Sequence, residues 1–152
     1  MPKSKELKIS AISYGTVIDH IPSASTFKVA SILKVAEHEE IISIASNLPS
    51  KRLGRKGIIK VAGKILSKDE FDKVAIAAPL ATVNIIKDYK VEKKVQVEVP
   101  SLLIDLIKCS NPKCVTNNEQ TKTKFAVIKK NPLKVKCFYC ERVMDNYEIE
   151  LK

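Results

Sequence analysis

Apolar and polar positions alternate in short runs along the first hundred residues, and two longer segments with helical spacing interrupt them. The alternation predicts five strands, over residues 7–12 with a continuation at 16–21, then 41–45, 58–66, 82–86 and 91–99. Gly15 is expected to break the first strand, and Gly63 the third. The basic, glycine-punctuated stretch 47–57 is predicted to be a surface loop.

The two helical segments are predicted from their caps and buried stripes. The first runs from Ser23 or Ser25 to about Glu37, with a stripe formed by Phe27, Val29, Ala30 and Leu33. The second begins at the capping box of Ser67 and Glu70 and ends before Pro79, with a stripe formed by Phe71, Val74, Ala75 and Ala78.

The order of these elements is β-α-β-β-α-β followed by one more strand. That order is typical of an α+β, ferredoxin-like fold, in which an antiparallel sheet carries both helices on one face. The opposite face of the sheet is then left open for binding.

Pro100 marks the predicted boundary between a domain at 1–100 and a small all-β domain at 101–152. The second domain is predicted to contain strands near 102–107, 124–130, 133–137 and 144–151. About fifty residues with few large side chains cannot bury an adequate core alone. A bound metal would supply the missing folding free energy, which is on the order of 10 kcal/mol for a structural zinc.

The candidate metal ligands are the four cysteines, which occur as two close pairs: Cys109 with Cys114, and Cys137 with Cys140. This spacing can bring four thiolates to one tetrahedral point, as a structural zinc requires. An iron–sulfur or mononuclear iron site and two disulfides remain alternatives. Four cysteine ligands leave no position for a catalytic water, so the metal is expected to stabilise the fold.

The charge of the chain indicates binding of a polyanion only weakly. The formal net charge is +10, of which residues 1–100 carry +6 and 101–152 carry +4. Four thiolates and one Zn²⁺ would contribute −2, so the metal region is the less basic one. Because the sequence has no run of eighteen apolar residues and begins without an apolar signal segment, we expect a cytoplasmic protein that does not enter a membrane.

The motifs favour a binding or regulatory protein over an enzyme. There is no P-loop or dinucleotide-binding glycine motif, and every cysteine is assigned to the metal. Two adjacent polar residues, Asp19 and His20, interrupt an apolar extended segment, either as a solvent-facing strand end or as part of a site. A phosphate site would also draw on three lysines, with a nearby apolar wall for a base: Lys56, Lys60 and Lys94, with Ile86 and Tyr89.

Several blocks together resemble the regulatory chain family of aspartate carbamoyltransferase. They are 15–22 (GTVIDHIP), 47–50 (NLPS), 54–56 (GRK), 78–79 (AP), 81–84 (ATVN) and the four cysteines. The resemblance implies a non-catalytic subunit of pyrimidine biosynthesis whose N-terminal domain binds CTP, UTP or ATP allosterically. It also implies that the C-terminal domain, with one structural zinc per chain, docks onto the catalytic chain.

The resemblance further implies roles for individual residues. Asp19 and Lys60 would contact ribose and base, and His20 and Lys94 the phosphates, with Lys56 nearby. The remaining site residues would be Asn84, Ile86 and Tyr89, with Ile12 reading the base through its backbone.

The expected partners follow from the same family. Its members assemble as two catalytic trimers bridged by three regulatory-chain homodimers, with nucleoside triphosphates as ligands and neither nucleic acid nor membrane. The alternative from another class is a zinc-ribbon protein that binds nucleic acid. Against it, aromatic residues make up only 5% of the chain, which leaves few side chains for base stacking.

Overall fold

The computed structural model describes residues 11–152, and the chain divides into two compact units, Met1–Val97 and Glu98–Lys152. Most of the strand predicted at residues 7–12 lies outside the described residues. Within that segment, Ile12 is described and is buried.

The first unit is a five-stranded sheet with two helices. Its elements are β1 (Tyr14–Pro22), α1 (Thr26–Ile32), β2 (Ile42–Ser50), β3 (Gly54–Ala62), α2 (Lys68–Ala77), β4 (Thr82–Lys87) and β5 (Lys90–Gln96), with single 3-10 turns at Ser23–Ser25 and Val35–Glu37. The strand order is β2-β3-β1-β4-β5, and every neighbouring pair is antiparallel. This is the ferredoxin-like arrangement with β5 added beside β4, so the predicted fold class is confirmed.

The core of this unit lies between one sheet face and the helices. Ile18, Ile59 and Val83 form one row across β3, β1 and β4, and each is at most 3% exposed. On the helical side, Val29 of α1 and Val74 of α2 are fully buried, and α1 contacts α2, β2 and β3. Burial of this aliphatic layer is the main source of stability for the unit.

The sequence prediction was wrong about Gly15, which lies within β1 and does not break it. Its φ of 142° is unfavourable for other residues, and a Cβ there would lie 2.2 Å from the carbonyl oxygen of Val61. Glycine therefore lets β1 continue while β3 approaches closely.

The prediction of a surface loop at 47–57 was also wrong, because most of this stretch belongs to a β-hairpin. β2 runs to Ser50, β3 begins at Gly54, and Leu48 pairs with Lys56. The ladder is interrupted between Ala45 and Leu48, where an extra residue and the positive φ of Asn47 (61°) form a bulge. The bulge shifts the side-chain alternation, so the sequence here lacks the regular two-residue period by which a strand is predicted.

The first helix is shorter than predicted, and it buries the expected Val29, Ala30 and Leu33 but not Phe27. It ends before Lys34, whose φ of 53° is left-handed, and Phe27 is 71% exposed while Thr26 is fully buried. Neither predicted cap serves the helix: the Ser25 side chain makes no cap hydrogen bond within the described residues. The hydroxyl of Ser23 instead accepts the backbone N–H of Asn47 at 3.1 Å.

The second helix agrees more closely with its prediction. The Ser67 hydroxyl accepts the Glu70 N–H at 3.2 Å and Glu70 Oε1 accepts the Ser67 N–H at 3.1 Å, so the capping box is confirmed. The buried residues include the expected Val74, Ala75 and Ala78, but Phe71 is only half-buried. β5 ends at Gln96, earlier than predicted.

The second unit contains short strands in two sheets. Its elements are β6 (Leu102–Ile104), β7 (Ile107–Lys108), α3 (Val115–Asn118), β8 (Lys124–Lys130), β9 (Leu133–Cys137), β10 (Val143–Asp145), a 3-10 turn (Asn146–Glu148) and β11 (Glu150–Leu151). One sheet has the order β10-β9-β8-β6, and the other pairs β11 with β7. Phe125, Leu103 and Val135, all from the four-stranded sheet, are fully buried.

Two of the strands predicted in this unit are divided. Asp105, with a φ of 56°, turns the chain between β6 and β7, and the 3-10 turn separates β10 from β11. The one-turn helix α3 falls in the spacer between the cysteine pairs, where the sequence pattern predicted no element.

Candidate metal centre and candidate binding face

The four cysteines of the second unit converge on one point. The sulfur atoms of Cys109, Cys114, Cys137 and Cys140 all lie within 4.8 Å of one another. Cys109 Sγ is 3.6 Å from Cys140 Sγ, and Cys114 Sγ is 3.8 Å from Cys137 Sγ. A tetrahedral ion with metal–sulfur bonds of about 2.3 Å requires sulfur–sulfur edges of about 3.8 Å. A disulfide would require about 2.05 Å, so these separations fit a metal and not two disulfides.

Each cysteine pair forms a knuckle at the end of a strand. Cys109 follows β7 and Cys114 precedes α3, whereas Cys137 ends β9 and Cys140 lies in the turn before β10. In the second knuckle the Glu141 N–H donates to the Cys137 carbonyl at 3.0 Å, closing a tight turn. The local turns therefore orient the four thiols without help from a long loop.

The electrostatics of the quartet favour a nearby cation, because burial disfavours the charged thiolate form of two of its members. Burial raises the pKa of the Cys109 thiol to about 12, and the nearby Cys137 and Cys114 sulfurs add to the effect. Burial also raises the pKa of Cys137. At Cys140 burial acts in the same direction, but hydrogen bonds, the strongest from the Arg142 backbone, outweigh it and lower the pKa to about 7. A divalent ion would stabilise the thiolate form of all four.

The second candidate site lies on the face of the first unit's sheet that is turned away from the helices, hereafter the open face. Lys60 pairs with Val17, Val17 with Asn84, and Asn84 with Lys94. Residues directly opposite in an antiparallel ladder share one face, so Lys60, Asn84 and Lys94 form a row across four strands. The two lysine backbones are roughly 14 Å apart, which is three strand spacings.

The same registers distinguish Lys94 from its neighbour. Lys93 pairs with Ile85, which pairs with the fully buried Thr16 on the helical side of the sheet. Lys94 therefore belongs to the open face, and Lys93 belongs to the opposite one.

A bulge in β1 brings Asp19 and His20 to this row. Both residues lie opposite a single residue of β3, Ile58, and His20 has a φ of 57°. The His20 Nδ1 atom lies 3.2 Å from the hydroxyl oxygen of Thr82, which alternates with Asn84 along β4. Bulges re-aim side chains at functional sites, and this one turns His20 toward the open face.

Asp19 is paired with a lysine of the neighbouring strand. Lys56 Nζ lies 2.9 Å from Asp19 Oδ1 and 3.2 Å from Oδ2, and Oδ1 accepts the His20 N–H at 2.6 Å. Lys56 thus contacts Asp19 directly, and Asp19 in turn accepts the backbone N–H of His20.

The predicted apolar wall is less compact. Ile86 follows Asn84 by two residues on β4, so it lies on the open face, where it is 7% exposed. Tyr89 is at the β4–β5 turn, 70% exposed, and its N–H donates to the Ser13 carbonyl next to Ile12. Thr82 and Val17 were missed by the sequence analysis, although the two-residue alternation with Asn84 and Asp19 marks both.

Comparison with known proteins decides the family. Residues 7–98 match the family model for the aspartate carbamoyltransferase regulatory chain, allosteric domain, and residues 102–150 match its metal binding domain. The chain belongs to this regulatory chain family. It is 55% identical over 146 residues to the regulatory chain of Pyrococcus horikoshii, covering 95% of this chain and 96% of that one.

Other regulatory chains are similarly close. That of Thermococcus sibiricus is 57% identical over 141 residues, covering 93% of both chains. The chain of Parabacteroides distasonis is 45% identical over 150 residues, covering 99% of this chain and 97% of its own.

Membership in the family confirms several sequence predictions. The chain is a non-catalytic regulatory subunit with an allosteric domain and a metal-binding domain, and it acts in pyrimidine biosynthesis with catalytic-chain partners. Among the helices in residues 11–152, none has the length and apolar character needed to cross a bilayer.

Proposed function

We propose that residues 1–100 bind nucleoside triphosphates on the open face and that residues 101–152 hold a structural zinc and dock onto the catalytic chain. The observation that carries the first part is the row of Lys60, Asn84 and Lys94 beside the Asp19–His20 bulge. Cationic and hydrogen-bonding groups aligned on an open sheet face suit a ligand that has phosphates at one end and a base at the other.

Each residue has a distinct role in this proposal. Lys94 and His20 contact the phosphates, and Lys56 is near enough to exchange its contact with Asp19 for one with a phosphate oxygen. Asp19 and Lys60 bind ribose and base. The other residues that line the site are Asn84, Ile86 and Tyr89, together with the backbone of Ile12.

Regulation follows from linkage between nucleotide binding and the conformation of the assembly. CTP or UTP favours the less active state and ATP the more active one, each by its difference in affinity for the two states. Such differences are typically about 1–3 kcal/mol. The assembly comprises two catalytic trimers and three regulatory dimers in the cytoplasm, without nucleic acid.

Zinc is the proposed metal, with one ion per chain. The support is the donor set of four sulfurs at near-tetrahedral spacing, which provides soft ligands and closes the coordination sphere. The ion contributes folding free energy and would take no part in a reaction.

Calorimetric titration of the zinc-loaded chain with CTP and with ATP tests the nucleotide site. Lys60→Ala and Lys94→Ala should each weaken binding about tenfold, since each removes one charge-assisted contact. Lys93→Ala is the matched control, because it removes the same charge from the other face. Equal losses in Lys93→Ala and Lys94→Ala, or salt-sensitive DNA binding without nucleotide binding, would contradict the proposal.

The docking role is tested by reconstituting the holoenzyme from separated chains. Regulatory chains stripped of metal should not associate with catalytic trimers in sedimentation velocity, and added Zn²⁺ should restore association. Full assembly without any metal would exclude a docking role for the cysteine quartet.

A further inference from the structure

The two knuckles of the metal centre are supported in different ways. Cys137 is the last residue of β9, and its backbone N–H donates to the Arg142 carbonyl at 2.9 Å. The second knuckle is therefore part of the β9–β10 hairpin, and the backbone of the sheet holds it. The first knuckle, from Cys109 to Cys114, lies between β7 and α3 and belongs to no sheet.

Two consecutive asparagines of α3 bind the backbone of this first knuckle. The Nδ2 atom of Asn117 donates to the carbonyls of Cys109 at 2.9 Å and Asn111 at 2.7 Å. The Nδ2 atom of Asn118 donates to the carbonyls of Pro112 at 3.0 Å and Cys114 at 2.9 Å. A side-chain amide nitrogen carries two protons, so each asparagine uses its full donor capacity on the knuckle.

The position of the asparagines in a helical turn explains why both are needed. Adjacent helical residues project about 100° apart, so neighbouring amides reach different parts of the loop. Asn117 binds the carbonyls of the first and third knuckle residues, and Asn118 those of the fourth and sixth. Together they span the knuckle from one cysteine to the other.

Thr116 adds a contact to a metal ligand itself. Its hydroxyl donates to the sulfur of Cys114 at 3.1 Å, and Thr116 is half-buried. A hydrogen bond to a ligand atom fixes the orientation of the ligand and adjusts its donor strength.

We propose that Thr116, Asn117 and Asn118, hereafter the α3 clamp, are positioning residues that hold Cys109 and Cys114 at the spacing the metal requires. The inference rests on the proposed zinc site. With the clamp intact, the first knuckle keeps its shape when a metal–sulfur bond opens, so the bond closes again. Without it, the first knuckle loosens while the second, supported by the sheet, keeps its shape.

The rate of zinc release from the full chain tests the clamp. Zinc-loaded protein is mixed with excess of a chromogenic chelator, and the absorbance of the chelate is followed with time. Loss of an outer contact to a metal site typically costs 10–100-fold in affinity, and we expect release about 10–100-fold faster in Asn117→Ala/Asn118→Ala. Gln120→Ala is the control, because it removes an exposed amide from the same segment.

Thr116 is tested with a pair of substitutions. Thr116→Val keeps the shape but removes the hydroxyl, and should both speed release and shift the sulfur-to-metal absorption band of the Co²⁺-substituted protein. Thr116→Ser keeps the donor and should restore the wild-type band. A band that is unchanged in Thr116→Val would contradict the assignment of this hydrogen bond.

The order in which the cysteines become accessible separates positioning from general destabilisation. Pulse alkylation during zinc release, read by peptide mass spectrometry, should show Cys109 and Cys114 reacting before Cys137 and Cys140 in the clamp variants. If the double variant does not fold, Asn118→Ala alone should show the same order.

The possible outcomes distinguish the clamp from the zinc site. Simultaneous reaction of all four cysteines, or a wild-type release rate in the variants, would overturn the clamp while leaving the zinc site intact. A wild-type chain that holds no zinc would overturn both.

Discussion

Lys56 and Asp19 form an ion pair between β3 and β1, with Lys56 Nζ 2.9 Å from Asp19 Oδ1. Their side chains are only 19% and 23% exposed, and the same carboxylate accepts the His20 N–H. The pair therefore joins the hairpin to the β1 bulge. Lys56→Met should lower the free energy of unfolding by about 1 kcal/mol, since partly buried pairs reach the upper end of the range for surface pairs.

A double-mutant cycle with Asp19→Asn isolates the pair. Urea unfolding of wild type, both single variants and the double variant should give a coupling energy of about 0.5–1 kcal/mol that shrinks at high salt. Strictly additive effects would mean that the two residues stabilise the bulge independently.

Because His20 has a left-handed backbone conformation, two substitutions can separate its role in the conformation of the β1 bulge from its role in nucleotide binding. His20→Asn should change the unfolding free energy little, because asparagine tolerates this conformation, whereas β-branched His20→Val should cost about 1–2 kcal/mol. Both variants remove the imidazole and should weaken nucleotide binding to a similar extent. If His20→Asn and His20→Val are equally stable in thermal unfolding, the bulge does not hold residue 20 in the left-handed conformation.

The hydrophobic pattern and the cap residues predicted the element order of the first unit, because apolar side chains recur with a different period in helices and in strands. The bulges were the main obstacle. The extra residue at Asn47 shifted the alternation of β2, so the hairpin resembled a loop. Phe27 was assigned to the buried stripe by its helical spacing, but the short α1 buries Thr26 and turns the larger ring outward.

The candidate sites differed in how far sequence could define them. The cysteine quartet is local, because two short spacings fix which atoms meet. The open face depends on register across four strands, which composition does not determine. Asp19 and His20 stood out as polar residues in an apolar segment, whereas the contact of Thr82 with His20, at 3.2 Å, depends on the register between β4 and β1.

The close approach of Thr26 to Gly57 gives a packing prediction. A Cβ on Gly57 would lie 2.0 Å from Thr26 Oγ1, and Thr26 is fully buried. Gly57→Ala should therefore destabilise the chain by about 1–3 kcal/mol in thermal or urea unfolding. Adding Thr26→Ala should recover part of the loss, because it removes Oγ1 and Cγ2, the two closest of the clashing atoms. No recovery in the double variant would place the strain in the backbone.

The capping box predicts a pH dependence of stability. Burial alone would raise the pKa of Glu70, but hydrogen bonds from the Ser67 backbone and from Lys64 outweigh it, and the pKa lies below its ordinary value of 4.5. A depressed folded-state pKa stabilises the protein above the unfolded-state value, and this contribution is lost as pH falls through the folded-state value.

Urea unfolding from pH 7 down to pH 3 checks this dependence. Stability should fall below about pH 4.5, and Glu70→Gln should make the acid slope shallower while keeping an oxygen for the Ser67 N–H. Glu39→Gln, at an exposed position, controls for the loss of one negative charge. An identical acid slope in wild type and Glu70→Gln would rule out this linkage.

Removal of the metal should affect the two units unequally. The second unit has only 55 residues, and three of its buried side chains are the quartet members Cys109, Cys114 and Cys137, so we expect its fold to depend on ligation. The first unit has its own aliphatic core and holds none of the four ligands. Chelation should therefore abolish amide-exchange protection in 98–152 and leave that of β1, β3 and β4 in place. Added Zn²⁺ should restore the protection of residues 98–152, because ligation supplies on the order of 10 kcal/mol of folding free energy. Protection that persists in β8 and β9 without metal would show that Phe125 and its neighbours form a sufficient core by themselves.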